Sequence, residues 1–206
     1  MEEMLTVLVL LGLSTVIIAG GVAVGSALAA MTNRNNANRQ LAAPARDLTN
    51  LRQGDAVSHM GDTYLVEGTI TVDEHGSSRW IYHLSDGPLI RRWLYATQKD
   101  RMEVWLLEEQ DELPFESQGR PPKAIAQGEL NYKLKTLGQG QAKGQGATGS
   151  LGGARRLDYH HYKGPADHIM VIEQWDDAHR ALTGRRVESS MLELLPGDQV
   201  KRQPKR

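Results

Sequence analysis

The sequence contains no cysteine. That excludes disulfides, thiolate zinc sites, iron–sulfur clusters and cysteine nucleophiles. It leaves the compartment open. Aromatic residues are scarce, with four Trp, six Tyr and one Phe in 206 residues. A core must therefore rest on Leu, Val and Ile with a handful of Trp and Tyr. Positive charge is not in excess: 24 Lys and Arg face 25 Asp and Glu, for a net charge of -1. A dedicated nucleic-acid binder is basic over its domain, so no nucleic acid is expected as a partner. Familiar catalytic signatures are missing as well. "GQGQAKGQG" lacks the Gly-Lys-Ser/Thr ending and the following helix of a phosphate-binding loop. The loose GxGxxG of Gly144, Gly146 and Gly149 has no βαβ unit around it. There is no GxSxG elbow and no HExxH helix. No cofactor and no resident metal are expected.

What is present begins with a long apolar run, Met4 to Met31, that no charged residue interrupts. A helix needs about 20 apolar residues to cross the hydrocarbon layer. A cleaved signal peptide is the alternative, and Ala27 to Ala29 resembles a cleavage site. Such peptides open with positive charge, whereas Glu2 and Glu3 precede this run. Arg34, Arg39, Arg46 and Arg52 follow it and no Lys or Arg precedes it. The positive-inside rule then puts the amino terminus outside and the rest of the chain in the cytoplasm. Gly21, Gly25 and Ala29 recur at four-residue spacing, a small-residue row that lets two helices pack closely.

Four segments follow from composition: a transmembrane helix over 1–31, a flexible polar linker over 32–50, a β-rich domain over 51–197, and a basic tail over 198–206. The tail "KRQPKR" is a solvated end or a contact for anionic lipid head groups. In the domain, "DTYLVEGTITV", "RWIYHLS", "RRWLYAT" and "RMEVWLLE" read as strands joined by short turns, an antiparallel meander. "LPFESQGRPPKAIAQG" reads as a loop crossing between halves. "ELNYKLKTL", "ARRLDYHHY" and "HIMVIEQW" are further strands, and "GQGQAKGQGATGSLGG" reads as a mobile glycine-rich loop or loose hairpin.

The halves, 51–113 and 128–197, echo each other. "TYLVEGT" resembles "NYKLKTL", and "RWIYHL" aligns with "RLDYHH", which pairs Tyr82 with Tyr159 and His83 with His160. The expected fold is mainly β: an antiparallel sandwich or barrel of two similar halves, preceded by one transmembrane helix.

Among seven histidines, His160 and His161 are adjacent, so on a strand they point to opposite faces. On that alignment His83 and His160 share an orientation. With Glu173 they are the candidates for a ligand or metal site. The alternating pattern alone accounts for them as solvent-facing histidines on half-buried strands, and that is the preferred reading. Trp80, Trp93, Trp105 and Trp175 each lie in an apolar strand and read as core.

The order and spacing of "LRQGDAV", "YLVEGTI", "WIYHL", "WLYAT", "LDYHHY", "IMVIEQW" and "GRRVESSMLELLP" resemble the bacterial domain-of-unknown-function family four-one-seven-eight, from Leu51 to about Gly197. The family brings no established activity, so no catalytic residue carries over. The resemblance implies a setting beside polyamine-synthase-like, multi-span membrane and phage-shock-type stress proteins.

Three functions compete. The leading expectation is a non-enzymatic β module anchored in the bacterial plasma membrane, an accessory to a membrane or stress-response protein. The alternative is a barrel that binds a small ligand, a lipid or a polyamine. A histidine-dependent metalloenzyme is third.

Overall fold

The computed structural model describes residues 45–74, 76–86, 91–114, 121–148, 153–176 and 178–197. The apolar run with Gly21, Gly25 and Ala29, most of the linker and the basic tail lie outside the described residues. Among the described residues no helix is long and apolar enough to cross a membrane.

Among the described residues, eleven strands make one antiparallel sheet: β1 Ala56–His59, β2 Asp62–Glu74, β3 Ser77–Ser85, β4 Arg92–Gln98, β5 Met102–Gln110, β6 Ala124–Gln127, β7 Leu130–Gly146, β8 Gly153–Lys163, β9 His168–Trp175, β10 Ala178–Val187 and β11 Leu192–Leu195. The order runs β11-β1-β2-β3-β4-β5-β10-β9-β8-β7-β6, and β2 also pairs with β7. That last pairing closes a ring of eight strands, β2-β3-β4-β5-β10-β9-β8-β7. The expected alternation therefore resolves into a barrel. An eight-stranded ring is just wide enough for side chains to fill its interior.

Period-two alternation decides which side chains go inside. One apolar cluster draws on all eight ring strands, including Ile70, Ile81, Tyr95, Leu107, Ala142, Leu157, Val171 and Leu182. Only the barrel interior can collect residues from every strand. Two further clusters lie on the outer face. One covers the first half with Tyr64, Val66, Tyr82, Leu84 and Leu94. The other covers the second half with Ile125, Tyr132, Tyr162, Met170 and Ile172. β1 and β6 are the short strands that help shield these outer patches. Both fell inside stretches that read as loop or domain start, because four residues are too few to show a period.

The repeat holds, with a one-residue change of register. Val57 pairs with Tyr64 and Ile125 pairs with Tyr132, so β1-β2 matches β6-β7. Each long strand then bulges just beyond its tyrosine, between Val66 and Gly68 and between Leu134 and Thr136. After the bulge, Gly68 pairs with His83 and Thr136 pairs with His161. The counterpart of His83 is thus His161, not His160, and Tyr82 does not match Tyr159. Tyr82 packs outside and Tyr159 inside. A slip of one residue exchanges the faces of a strand.

Of the two readings of the glycine-rich segment, loop or hairpin, the hairpin is the one found, since β7 pairs with β8 from Gly138 to Gly144. Residues 138–146 are the second half of β7, whose 17 residues make it the longest strand. Gly138 and Ala142 face inward while Gln139, Gln141 and Lys143 are exposed. The small residues leave room for neighbours. A Cβ on Gly138 would lie 2.2 Å from the Tyr159 ring.

The ordered domain begins before Leu51. Arg46 pairs with buried Asp55 at 2.7 Å. Leu48 is buried in the outer patch, and its carbonyl accepts the Tyr82 hydroxyl at 2.8 Å. The last residues of the expected linker are packed on the barrel. After β10, a 3-10 turn at Ser189–Met191 leads into β11, which pairs with β1.

Candidate functional site

Two polar clusters sit inside the apolar barrel. The first is sealed. Glu173 is fully buried on β9. Its Oε1 accepts the Tyr95 hydroxyl, and its Oε2 accepts Trp175 Nε1 at 3.0 Å and Arg180 Nε at 3.1 Å, with Arg180 Nη2 also bound. Arg180 lies 3.7 Å over the Trp93 ring. Trp93 Nε1 in turn donates to Glu109 at 3.1 Å. Burial would lower the Arg180 pKa, but Glu173 and then Tyr95 outweigh it and hold the guanidinium charge. Burial and the Glu173 charge push the Tyr95 phenol well up, so it stays a proton donor. Both carboxylate oxygens are engaged, which ties Glu173 into the core.

The second cluster repeats the same parts. Arg79 Nη2 pairs with Glu74 at 2.9 Å. The Tyr159 hydroxyl donates to Glu74 at 2.8 Å, and Arg79 lies 3.9 Å over the Tyr159 ring. Arg79 Nη1 lies 2.8 Å from His161 Nε2. A guanidinium has no acceptor, so Nε2 must carry the lone pair and Nδ1 the proton. The ring is neutral. Burial first, then Arg79 and Lys99, lower the His161 pKa well below its usual value, in agreement.

This second cluster faces a cavity. A space of about 560 Å³ opens at the barrel end formed by the β4–β5 and β8–β9 turns. That volume suits a small molecule. Trp105, Tyr159 and His161 supply aromatic wall. Arg79, Lys99, Arg101, Lys135, Lys163 and Arg186 supply charge, against Asp100, Glu103 and Asp167.

The opposite end is plugged. His83 stacks on Trp93 with centroids 4.7 Å apart, and its Nδ1 lies 2.7 Å from the Ala147 carbonyl. A carbonyl only accepts, so Nδ1 carries the proton. Glu67 lies 3.6 Å away. The Ala147 carbonyl sits so close that a Cβ on Gly68 would be 2.7 Å from it.

The three residues singled out from the sequence are therefore not brought together. His83 faces inward at the plugged end. Glu173 is locked to Arg180. His160 faces outward, opposite Ile172, in the patch that also holds Tyr162. Burial lowers the His160 pKa, Asp158 opposes this, and His179 adds to the lowering. Among the described residues no group of three or more His, Asp or Glu is placed to hold a metal. Trp93 and Trp175 are core as expected, whereas Trp80 and Trp105 are only partly buried. Sequence reasoning missed Arg79, Arg180 and the lysines of the open end. A signal existed for the arginines: Arg79 shares strand parity with Ile81, and Arg180 with Leu182. A charge on an apolar face must find a buried partner.

Fold and cavity define a class: a closed antiparallel β-barrel domain with a cavity of ligand size at one end. Residues 52–189 match the family described as Domain of unknown function (DUF4178), and the chain belongs to that family. No curated protein matches the chain, and no solved structure matches it.

Proposed function

We propose that this chain is a membrane-anchored, non-enzymatic β-barrel that binds a small ligand in its open end. The observation that carries the reading is the cavity of about 560 Å³, which combines an aromatic wall with converging charge. The buried Glu173, tied to Tyr95, Trp175 and Arg180, supports a packing role for that carboxylate rather than a catalytic one. The uncharged run from Met4 to Met31 supports the anchor, and the arginines after it support a cytoplasmic barrel at a bacterial plasma membrane. Ligand occupancy would then be reported at the membrane, to an accessory partner.

Two measurements test this. The full chain should stay with membranes through an alkaline carbonate wash, and a chain lacking residues 1–31 should be released. The full chain in detergent should show a raised unfolding midpoint with at least one class of small ligand in a panel of anions, cations and zwitterions. Release of the full chain by carbonate removes the anchor. A flat response across the panel removes the ligand.

A second reading, the adaptor, rests on a different observation. Met60 is 83% and Met191 59% exposed. Both stand at one edge, because His59 pairs with Leu192. A protein partner held there should be lost on Met60→Lys plus Met191→Lys while ligand binding persists.

A further inference from the structure

We propose that the open end of the barrel is an anion site, and that its ligand carries a phosphate group. The inference rests on the ligand-binding reading above and names the ligand's chemistry.

Three observations support it. The first is charge. Over the whole chain, Lys and Arg balance Asp and Glu at 24 to 25. The cavity departs from that balance, with six Lys or Arg and three carboxylates in its lining. Like charges gathered in one concave wall focus a positive potential.

The second is pairing. Arg79 is held by Glu74, and Arg101 lies 3.6 Å from Glu103. Lys99, Lys135 and Lys163 have no ion pair among the described residues, and neither does Arg186. Lys135 sits at the β7 bulge and Lys163 at the end of β8, so backbone geometry brings both to the rim. The bulge is what aims Lys135, since an extra residue re-directs a side chain.

The third is unmet donors. Arg79 Nε and Arg186 Nε are buried without a hydrogen-bond partner, and both residues line the cavity. Arg79 is only 4% exposed. Buried donors left unsatisfied cost about 1–3 kcal/mol each. An arginine can only donate, so the missing partner is an acceptor. A polyamine offers donors and positive charge and answers neither demand. A monocarboxylate brings one charge, whereas a phosphomonoester brings close to two and three acceptor oxygens. The wall of Trp105 and Tyr159 leaves room for an uncharged body beside that group.

A phosphate can come from a soluble ester or from a lipid head group, and the test separates them. The full chain is placed in nanodiscs of phosphatidylcholine and titrated with sn-glycerol 3-phosphate, acetate and spermidine. Binding is read as the fluorescence change lost on Trp105→Phe. Glycerol phosphate should saturate the signal, with acetate at least about tenfold weaker and spermidine silent. Lys135→Glu plus Lys163→Glu should weaken glycerol phosphate by about tenfold or more, with the far-ultraviolet circular dichroism unchanged. Both lysines are exposed, so their reversal leaves the core intact.

In nanodiscs of phosphatidylcholine with phosphatidic acid, whose head group is a phosphomonoester, loss of the glycerol phosphate titration identifies the head group as the natural source. An unchanged titration identifies a soluble ester. Acetate as tight as glycerol phosphate overturns the phosphate assignment. So does glycerol phosphate binding that survives the double reversal. A spermidine response that survives it overturns the anion site and leaves the ligand-binding reading standing. Silence with every probe in both nanodiscs ends both.

Discussion

Arg180 and Arg79 stand inside the same barrel with the same company. Each lies over an aromatic ring, Trp93 at 3.7 Å and Tyr159 at 3.9 Å. Each pairs with a glutamate that also accepts a tyrosine hydroxyl, Glu173 with Tyr95 and Glu74 with Tyr159. Their surroundings differ. Around Arg180 the barrel is packed, and Trp175 adds a further donor to the carboxylate. Around Arg79 the barrel opens into a cavity whose Lys99, Lys135, Lys163 and Arg186 have no ion pair among the described residues. The same arginine–glutamate–tyrosine unit closes the core at one level and offers charge to a ligand at the next. Low dielectric makes a buried pair expensive to break. An open side allows water or a ligand to share that cost.

The largest expected effect follows from this difference. Glu173→Gln leaves Arg180 charged and buried without its counter-charge, and should cost about 3–5 kcal/mol of unfolding free energy. Glu74→Gln should cost less, about 1–3 kcal/mol, because the Glu74 carboxylate is partly exposed whereas Glu173 is fully buried. Urea unfolding of both variants measures the gap. Equal losses would break the comparison.

A smaller effect tests the packing between the two units. Gly138→Ala drives a methyl into the Tyr159 ring and should cost about 1–3 kcal/mol. Because Tyr159 carries Arg79, the variant should also weaken whatever the cavity binds. A stability loss with binding intact would show that the ring tolerates displacement.

The smallest effect is a pH dependence. The folded His161 resists protonation, through burial first and then Arg79 and Lys99. The unfolded ring takes up a proton as pH falls through about 6.5. Stability should therefore be full at neutral pH and fall with acid, by at most about 1.4 kcal/mol per pH unit for one proton. His160, also lowered by burial, adds to the same slope. His161→Gln should flatten the loss between neutral pH and pH of about 5, and unfolding curves at the two values check it. An unchanged slope would mean the ring is not held neutral.

Much of the architecture was legible because alternation survives in single strands. β9 "HIMVIEQW" and the hairpins of the first half show it directly. The tyrosines Tyr64 and Tyr132 marked the repeat correctly. "RWIYHL" against "RLDYHH" did not, since matched letters cannot register a one-residue change in face. The glycine-rich half of β7 reads as a loop or a loose hairpin rather than a long strand because small residues hide alternation. Its pattern of Gly, Gln, Gly, Gln, Ala, Lys is nonetheless period two, with the small residues beneath Tyr159 and its neighbours. The cavity was illegible. Its cations come from β3, the β4–β5 turn, β7, β8 and β10, and only ring closure brings them together. Glu173 could be noticed as a strand acid, but its partner Arg180 needed the β9–β10 register, where the two are directly opposite.

The most direct measurement follows the two guanidinium groups themselves. Nitrogen-15 spectra of the arginine-labelled full chain in detergent resolve Nε–H signals, assigned by Arg79→Lys and Arg180→Lys. Arg180 Nε–H should be protected from solvent exchange and unmoved by sn-glycerol 3-phosphate. Arg79 Nε–H should exchange faster and shift saturably with the ligand. An Arg79 signal as protected and unmoved as that of Arg180 would contradict a sealed core beside an open site.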